Sequence, residues 1–177
     1  GRANTTGPGR PDVAIAKAVQ HFGGLDYLVC NAASGYNRPV MQQKIKGWDW
    51  TLNINARSVL FLSQKAAPIM QARGGGAIVS ISSLGSIRVL PEYVVVGASK
   101  AALEAVTRYL AVELAPLGVV VNAVSGGVVE TDALKHFRTT QDSNVLVAAA
   151  DRTPAGRIVE PQDVANVVAF LCTNSCE

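Results

Sequence analysis

Three short apolar runs rich in branched side chains constrain the fold of this chain more than any other feature of its sequence. The last of them, Val119–Val124, holds four valines in six residues. Two earlier runs, at 27–30 and 77–81, have similar lengths and lie between longer segments with helical periodicity. Such runs are typical of buried strands in a parallel sheet. Their alternation with helices predicts an α/β fold.

Helical periodicity fills the intervals between these runs. The longest helix is expected to kink or restart near Asn53. Pro68 fits it poorly, because proline lacks the amide proton that continues a helix. Pro116 and Gly118 are the stop signals of the next helix. The predicted helices cover 11–22, 47–72, 95–115, 131–150 and 161–172.

Length and composition limit the classes of protein to which this chain could belong. A chain of 177 residues that is 49% apolar can bury one sizeable core, and we expect a single domain over 1–177. The net charge of +3 is scattered, which argues against a nucleic-acid partner. No apolar run reaches membrane-spanning length. Three cysteines without metal-ligand companions favour a reducing cytoplasm and predict no metal site.

Tyr93 and Lys100 are the candidate catalytic pair. Six residues separate them, and seven steps of about 100° bring a helical residue within roughly 20° of two full turns. If both residues lie in a helix, their side chains face the same cleft. The ammonium would stabilise a phenolate and so favour proton release from the tyrosine. This spacing predicts a proton-donor pair.

Further motifs accompany this pair in order along the chain. They are Asn31-Ala32-Ala33-Ser34-Gly35 after the first strand, Asn55 in the long helix, Ile78–Ser83 at the second strand, and Val121–Gly127 with Thr131 at the third. With these motifs the chain resembles the short-chain dehydrogenase/reductase family from Asn4 to about Cys172. One departure is Gly126, where the family usually has proline.

The resemblance implies a Rossmann-like doubly wound parallel sheet and a role for each matched residue. Tyr93 would hydrogen-bond the developing enolate oxygen, and Lys100 would hold the nicotinamide ribose hydroxyls. Asn55 would support Lys100 through water, and Ser83 stands at the position of the family's catalytic serine. The cofactor-binding positions implied by the resemblance are Asn4, Asn31, Ala32, Lys100, Gly127 and Thr131.

The spacing of Tyr93 and Lys100 indicates which group of enzymes within the family the chain resembles. Most members have three residues between tyrosine and lysine, which would place the tyrosine at Val96. Six residues between them is the pattern of the enoyl-acyl-carrier-protein reductases. In enoyl reduction the charge develops on the thioester oxygen, two carbons from the hydride-accepting carbon, so the oxyanion donor should be displaced. Ser83 fits either an enoyl reductase or a ketone reductase.

Several stretches are similar to the NADPH-dependent FabL type of enoyl reductase. They are Trp48–Thr51, Ser82–Arg88, Ala101–Ala105 and Thr131–Phe137. The resemblance therefore implies reduction of enoyl-acyl-carrier-protein thioesters by NADPH in fatty acid elongation, with NADH not excluded. The alternatives are a 3-oxoacyl-type ketone reductase of the same family and a non-catalytic truncated chain.

No strand–turn–helix with a glycine-rich phosphate cradle occurs in this sequence. Gly74-Gly75-Gly76 precedes a strand and is interpreted as a loop. Compared with the family, roughly the first three strands and the last strand are absent. We therefore expect the chain to be a fragment, a partial doubly wound sheet that could be inactive alone.

Two kinds of partner are expected. The helices near 48–72 and 95–115 carry more apolar residues than one sheet face needs, which predicts a homodimer or homotetramer with two-fold symmetry. An acyl carrier protein is acidic and could use a local basic patch. The candidate basic residues are Arg38, Lys44, Lys46, Arg88 and Lys135.

Overall fold

The computed structural model describes residues 10–129, 150–151 and 153–173. The predicted helix over 131–150 therefore lies almost wholly outside the described residues. The described strands are β1 (Tyr27–Cys30), β2 (Gly76–Ile81) and β3 (Val119–Val124). The described longer helices are α1 (Arg10–Phe22), α2 (Ile45–Leu52), α3 (Ser58–Gln71), α4 (Val94–Leu114) and α5 (Pro161–Thr173).

The three described strands form one parallel sheet in the order β1-β2-β3. In its register Cys30 lies beside Ser80, and Ile81 lies beside Val124. The carboxyl ends of all three strands therefore meet at one edge, where ligands bind in open α/β sheets. The predicted α/β fold with a parallel, Rossmann-like sheet is confirmed.

Helices cover both faces of this sheet. Val119 and Val121 join the core cluster formed with Met70 of α3 and Leu103 of α4. The alternate residues of β3 point to the other face, where Asn122 and Val124 line a depression together with Val164 and Val167 of α5. The arrangement is that of a doubly wound sheet, with α1 packed outside α3.

The β3 strand differs from its sequence prediction in one respect. A continuous β-branched run predicts burial on both faces, yet Val120 is 36% exposed and Ala123 is also exposed. Val120 and Ala123 point to opposite faces of the sheet, so each face of β3 is covered only in part. The run therefore predicts the strand and its parallel pairing correctly, and its two-sided burial wrongly.

The predicted break in the long helix is a π-helical turn, Asn53–Arg57, that joins α2 to α3. A π turn accommodates an extra residue without ending the helix. Pro68 lies inside α3 on its exposed side. There, solvent can hydrogen-bond the helix carbonyl that the proline leaves without a donor. Both irregularities are thus accommodated in a helix that runs on to Gln71.

Two classes of feature are not found among the described residues. None of the described helices has the combination of length and apolar character that crossing a membrane requires. Over the same part of the chain, no group of three or more His, Cys, Asp and Glu side chains could hold a metal ion.

Ser63 gives the first testable prediction. Its hydroxyl is fully buried in α3 and has no hydrogen-bond partner among the described residues. Because a buried unpaired polar group costs about 1–3 kcal/mol, Ser63→Ala should raise the free energy of unfolding by about that amount. Urea denaturation followed by circular dichroism measures the change.

The matched control is Ser58→Ala in the same helix. The Ser58 hydroxyl is also buried, but it donates a hydrogen bond to the carbonyl oxygen of Ile54 at 2.5 Å. Its removal loses about 1 kcal/mol of hydrogen bonding, partly offset by the better helix propensity of alanine. Equal effects of the two substitutions would contradict the prediction.

Candidate active site

Tyr93 lies immediately before α4 rather than within it. Its backbone (φ −100°, ψ 8°) is outside the helical range, and its carbonyl oxygen accepts the first bond of the helix from the amide of Gly97 at 2.7 Å. The preceding residue, Glu92, has a left-handed φ of 58°. The carbonyl oxygen of Glu92 accepts a hydrogen bond from the amide of Arg38 at 3.0 Å. The loops, not the helix, therefore orient the phenol.

This placement corrects the geometric basis of the predicted Tyr93–Lys100 pair. The two-turn relation assumes that both residues are helical, and only Lys100 is. The phenol oxygen of Tyr93 lies 3.2 Å from the hydroxyl oxygen of Ser83, close enough for a hydrogen bond. Ser83 follows the end of β2, so the structure brings these two predicted catalytic residues together at the carboxyl edge of the sheet.

Two glycines allow the loop after β2 to approach Tyr93. A Cβ atom at Gly85 would lie 2.5 Å from Cε1 of the Tyr93 ring. A Cβ atom at Gly97 would lie 2.7 Å from the carbonyl oxygen of Gly85. At such distances any side chain would force the Tyr93 ring or the backbone to move. The 3₁₀ turn Leu84–Ser86 is thus packed directly against both the phenol ring and α4.

Lys100 is buried below the end of β2. The residue is 6% exposed, and its Nζ donates a hydrogen bond to the carbonyl oxygen of Ile81 at 2.6 Å. Burial disfavours the charged form and lowers the pKa of Lys100 from 10.5 to about 8. An ammonium has three donors, so this group can also bind acceptors of a ligand at the sheet edge.

Asn55 lies in the π turn and is 1% exposed. Its Oδ1 accepts a hydrogen bond from the amide of Ser34 at 2.9 Å, and its Nδ2 donates to the carbonyl oxygen of Ser34 at 2.9 Å. The same Nδ2 donates to the hydroxyl of Ser99 at 2.8 Å. Asn55 therefore links the loop after β1 to α4. Its contact in α4 is with Ser99, the residue directly before Lys100. Its expected water-mediated support of Lys100 stays a prediction.

Sequence reasoning missed Ser34 and Ser99 as partners of Asn55. Ser34 also accepts a hydrogen bond from the indole nitrogen of Trp50 at 3.0 Å, and the Ser99 hydroxyl donates to the carbonyl oxygen of Val96 at 2.7 Å. The available signal was weak. Ser99 is a buried serine beside the candidate lysine, and Ser34 lies in a matched motif, but neither position reveals its partner.

Those predicted cofactor residues that the structure describes lie at or near the ends of the strands. Asn31 and Ala32 follow β1 and are exposed, and Gly127 follows β3 with a left-handed φ of 73°. Asn4 and Thr131 lie outside the described residues. The edge of the sheet at which they lie is the one where open α/β sheets bind dinucleotides.

Gly126 explains the one departure from the expected motif. A Cβ atom at this position would lie 2.7 Å from a methyl of Val164 on α5 and 3.2 Å from a methyl of Val129. The close approach of these two valines leaves no space for a side chain. Glycine therefore suits this loop because of how α5 packs on it.

An open cleft of about 580 Å³ flanks Tyr93. Its walls are the loop after β2, the start of α4 and the segment 38–40 that follows β1. Many of its side chains are apolar, and two of them are strongly exposed, Ile87 at 77% and Val89 at 100%. Arg38 and Arg88 also line the cleft. The cleft thus places the phenol of Tyr93 beside apolar walls and two arginines.

Comparison with known proteins shows what the chain is similar to. The model of the family described as "Enoyl-(Acyl carrier protein) reductase" matches residues 3–176. A 1-cyclohexenylcarbonyl-CoA reductase of Streptomyces collinus is 37% identical over 155 residues, which cover 88% of this chain and 55% of the relative. A 2-dehydro-3-deoxy-D-gluconate 5-dehydrogenase of Dickeya dadantii is 37% identical over 168 residues, covering 92% of this chain and 64% of the relative.

A solved structure gives the same result at the level of the fold. It is described as a short-chain alcohol dehydrogenase from Sinorhizobium meliloti 1021 and superposes with a TM-score of 0.89 at 32% identity. The match covers 96% of this chain and 66% of that structure. The chain thus spans between about half and two thirds of the length of these relatives.

The buried ammonium predicts how stability varies with pH. The pKa of Lys100 is about 8 in the folded chain and 10.5 for an exposed lysine, so between these values the unfolded state binds more protons. The free energy of unfolding must therefore rise with pH from about 8 to 10.5, by about 3 kcal/mol from this group.

The measurement compares the chain with Lys100→Met by urea denaturation at several values between pH 7 and pH 10.5. Subtracting the variant's curve removes the contributions of the other titrating groups. The stability of the unsubstituted chain should rise relative to that of Lys100→Met above about pH 8. Parallel curves over this range would contradict the burial of a titrating ammonium.

Proposed function

Because the chain belongs to the short-chain dehydrogenase/reductase family, we propose that it acts in an NAD(P)-dependent oxidoreductase. More specifically, we propose reduction of the carbon–carbon double bond of an enoyl thioester held on acyl carrier protein, a step of fatty acid elongation. We propose NADPH as the cofactor on the resemblance to the FabL type. The position of the phenol carries the proposal.

The phenol belongs to Tyr93, and Val96 occupies the position of the tyrosine in most of the family. Val96 is 5% exposed, and its methyl group fills the space that a Cβ atom at Gly35 would need. It has no donor and is packed away from solvent. Tyr93 instead lies immediately before the first residue of α4. A donor at this position suits an oxyanion that is displaced from the hydride-accepting carbon.

The residues of the chain have distinct parts in this proposal. A bound nicotinamide cofactor supplies the hydride. Tyr93 donates a hydrogen bond to the thioester oxygen as enolate charge develops there, and then transfers its proton to that oxygen, which leaves a phenolate. Lys100, buried and cationic below its pKa of about 8, would hold the ribose hydroxyls and favour ionisation of the phenol. Asn55 keeps the helix of Lys100 against the loop after β1.

Further cofactor contacts would come from the edge of the sheet. Asn31, Ala32 and Gly127 lie there and are exposed. Thr131 would meet the carboxamide and Asn4 the adenine, both by resemblance. These positions would hold the dinucleotide across the ends of the strands.

The lining of the cleft supports the proposal of an acyl substrate. Its apolar walls suit an alkyl chain, and Arg38 and Arg88 suit an acidic carrier at its mouth. Lys44 and Lys46 are exposed on the same segment as Arg38 and could add to this attraction. The Streptomyces relative is named for a cyclohexenyl carbonyl thioester, a compound in which a double bond adjoins the thioester carbonyl.

Reduction of a ketone is the second candidate. The observation that favours it is the 3.2 Å approach of the Ser83 hydroxyl to the Tyr93 phenol, because two adjacent hydroxyls can bind one carbonyl oxygen. The Dickeya relative, named as a dehydrogenase of a sugar acid, is of this kind. The two candidates differ in their need for Ser83.

We also propose a two-fold symmetric homodimer or homotetramer formed through α3 and α4. Large apolar side chains on these helices are exposed, among them Phe61 at 36%, Tyr109 at 72% and Val112 at 75%. Such surfaces are typical of protein interfaces.

Assembly can be measured by sedimentation velocity at micromolar concentration. The unsubstituted protein should sediment as a dimer or tetramer, and Val112→Asp should shift it towards monomer because a carboxylate would be desolvated in the interface. A monomer before any substitution would contradict the proposed assembly.

Tyr93→Phe tests the chemistry. The ring and its packing stay, and only the hydroxyl is lost. Removal of a preorganised oxyanion donor costs about 100- to 1000-fold in turnover, so kcat for crotonyl thioester in the full-length protein should fall by about that factor. NADPH affinity, measured by calorimetry, should hardly change. Lys100→Ala should weaken both quantities.

Ser83→Ala discriminates between the two candidates. An enoyl reductase needs no acid at the hydride-accepting carbon, so its turnover should survive within about tenfold, a loss far smaller than that of an oxyanion donor. A loss equal to that of Tyr93→Phe, together with faster turnover of an acetoacetyl than a crotonyl thioester, would replace enoyl reduction by ketone reduction.

A further inference from the structure

Glu104 makes a contact that the proposed chemistry does not use. It lies on α4, one turn beyond Lys100 and on the same side of the helix. Its Oε1 accepts hydrogen bonds from the hydroxyls of both Ser82 and Ser86. Lys100 contacts the last residue of β2, Ile81. The two side chains therefore hold the end of β2 and the turn that follows it.

The two serines flank the segment that contacts Tyr93. Ser82 comes directly before Ser83, and its amide donates to the carbonyl oxygen of Val124 at 2.8 Å, which fixes it to the sheet. Ser86 comes directly after Gly85, and its amide donates to the carbonyl oxygen of Ser83 at 2.9 Å. One carboxylate oxygen thus anchors both ends of this turn.

The turn needs such an anchor because the chain beyond it is exposed. Ile87 and Val89 are 77% and 100% exposed, so little burial holds the loop after Ser86. Hydrogen bonds to an ionised carboxylate are about twice as strong as those between neutral groups. The carboxylate of Glu104 therefore supplies the restraint that apolar packing does not.

We propose that Glu104 is a positioning residue, which holds Ser83 and Gly85 against Tyr93 and so fixes the direction in which the phenol donates. It acts through the turn and does not touch the reacting atoms. The proposal rests on the proposed function only in taking Tyr93 as the donor. It applies equally whether the substrate is an enoyl or a ketone thioester.

The experiment compares Glu104→Leu with Glu104→Gln in the full-length protein. Leucine removes the oxygen that accepts both hydrogen bonds, and a misdirected catalytic group costs up to about 100-fold, so kcat should fall by about 10- to 100-fold. The dissociation constant for NADPH should stay unchanged, because Lys100 and Asn55 keep their partners. Glutamine still offers an oxygen to both serines and should restore most of the turnover.

A double-mutant cycle with Ser86→Ala tests the route of the effect. Ser86→Ala alone should lower kcat several-fold, because it removes one of the two hydrogen bonds by which Glu104 holds the turn. Added to Glu104→Leu it should lower kcat no further, because the bond is already absent. Glu113→Leu, which removes an exposed carboxylate from the same helix, should leave kcat unaltered.

Three results would overturn the proposal. They are unaltered kcat in Glu104→Leu, equal damage by Glu104→Gln and Glu104→Leu, and additive losses in the cycle. If Glu104→Leu fails to fold, Ser86→Ala decides, and an unaltered kcat in that variant overturns the proposal.

Tyr93→Phe, assayed beside these variants, separates the failure of this inference from failure of the proposed function. Impaired Tyr93→Phe with fully active Glu104→Leu rejects only the positioning role. Loss of acetoacetyl turnover in Glu104→Leu, with little crotonyl turnover in any form, rejects enoyl reduction and supports the positioning role.

Discussion

The hydrogen bonds of one buried amide, that of Asn55, hold the parts of the site together. Oxygen and nitrogen of this amide engage the backbone of Ser34, and the nitrogen also engages the hydroxyl of Ser99. Three separate pieces of chain meet there: the loop after β1, the helix pair α2–α3 and the start of α4. Because a buried amide without partners costs several kcal/mol, the three pieces are strongly favoured to stay together, and Lys100 with them.

The phenol of Tyr93 is oriented by different means. Loops on both sides determine its position, through the left-handed Glu92 on one side and the close approach of Gly85 on the other. A left-handed backbone at a residue with a long side chain costs about 1–2 kcal/mol, and the surrounding contacts must offset this cost. Rigidity at Lys100 thus comes from a helix, and rigidity at Tyr93 from packed loops, which makes the phenol the more easily displaced of the two.

The sequence predicts the framework well and the contacts poorly. The bounds of β3 follow from local composition, because a run of valines between turn residues has few alternatives. The position of Tyr93 depends on the conformation of Glu92, which a left-handed φ makes unpredictable from residue type. Glu104 and Ser99 escape notice because their partners Ser86 and Asn55 are 18 and 44 residues away in the sequence, and a single sequence gives no pairing. The partial burial of β3 depends on how far the helices extend over each face of the sheet, which the periodicity of one strand cannot show.

The π turn at Asn53–Arg57 has a consequence for helical phase. It takes up one residue more than an α-helix would in about the same rotation, so α3 continues with the phase that α2 would have without it. Deleting a single residue there would therefore give a regular helix in which α2 and α3 keep their present faces. The wide turn that carries Asn55 would be lost, however, and with it the present alignment of its amide with Ser34 and Ser99. The extra residue thus serves the position of one side chain and leaves the packing of the rest of the helix unchanged.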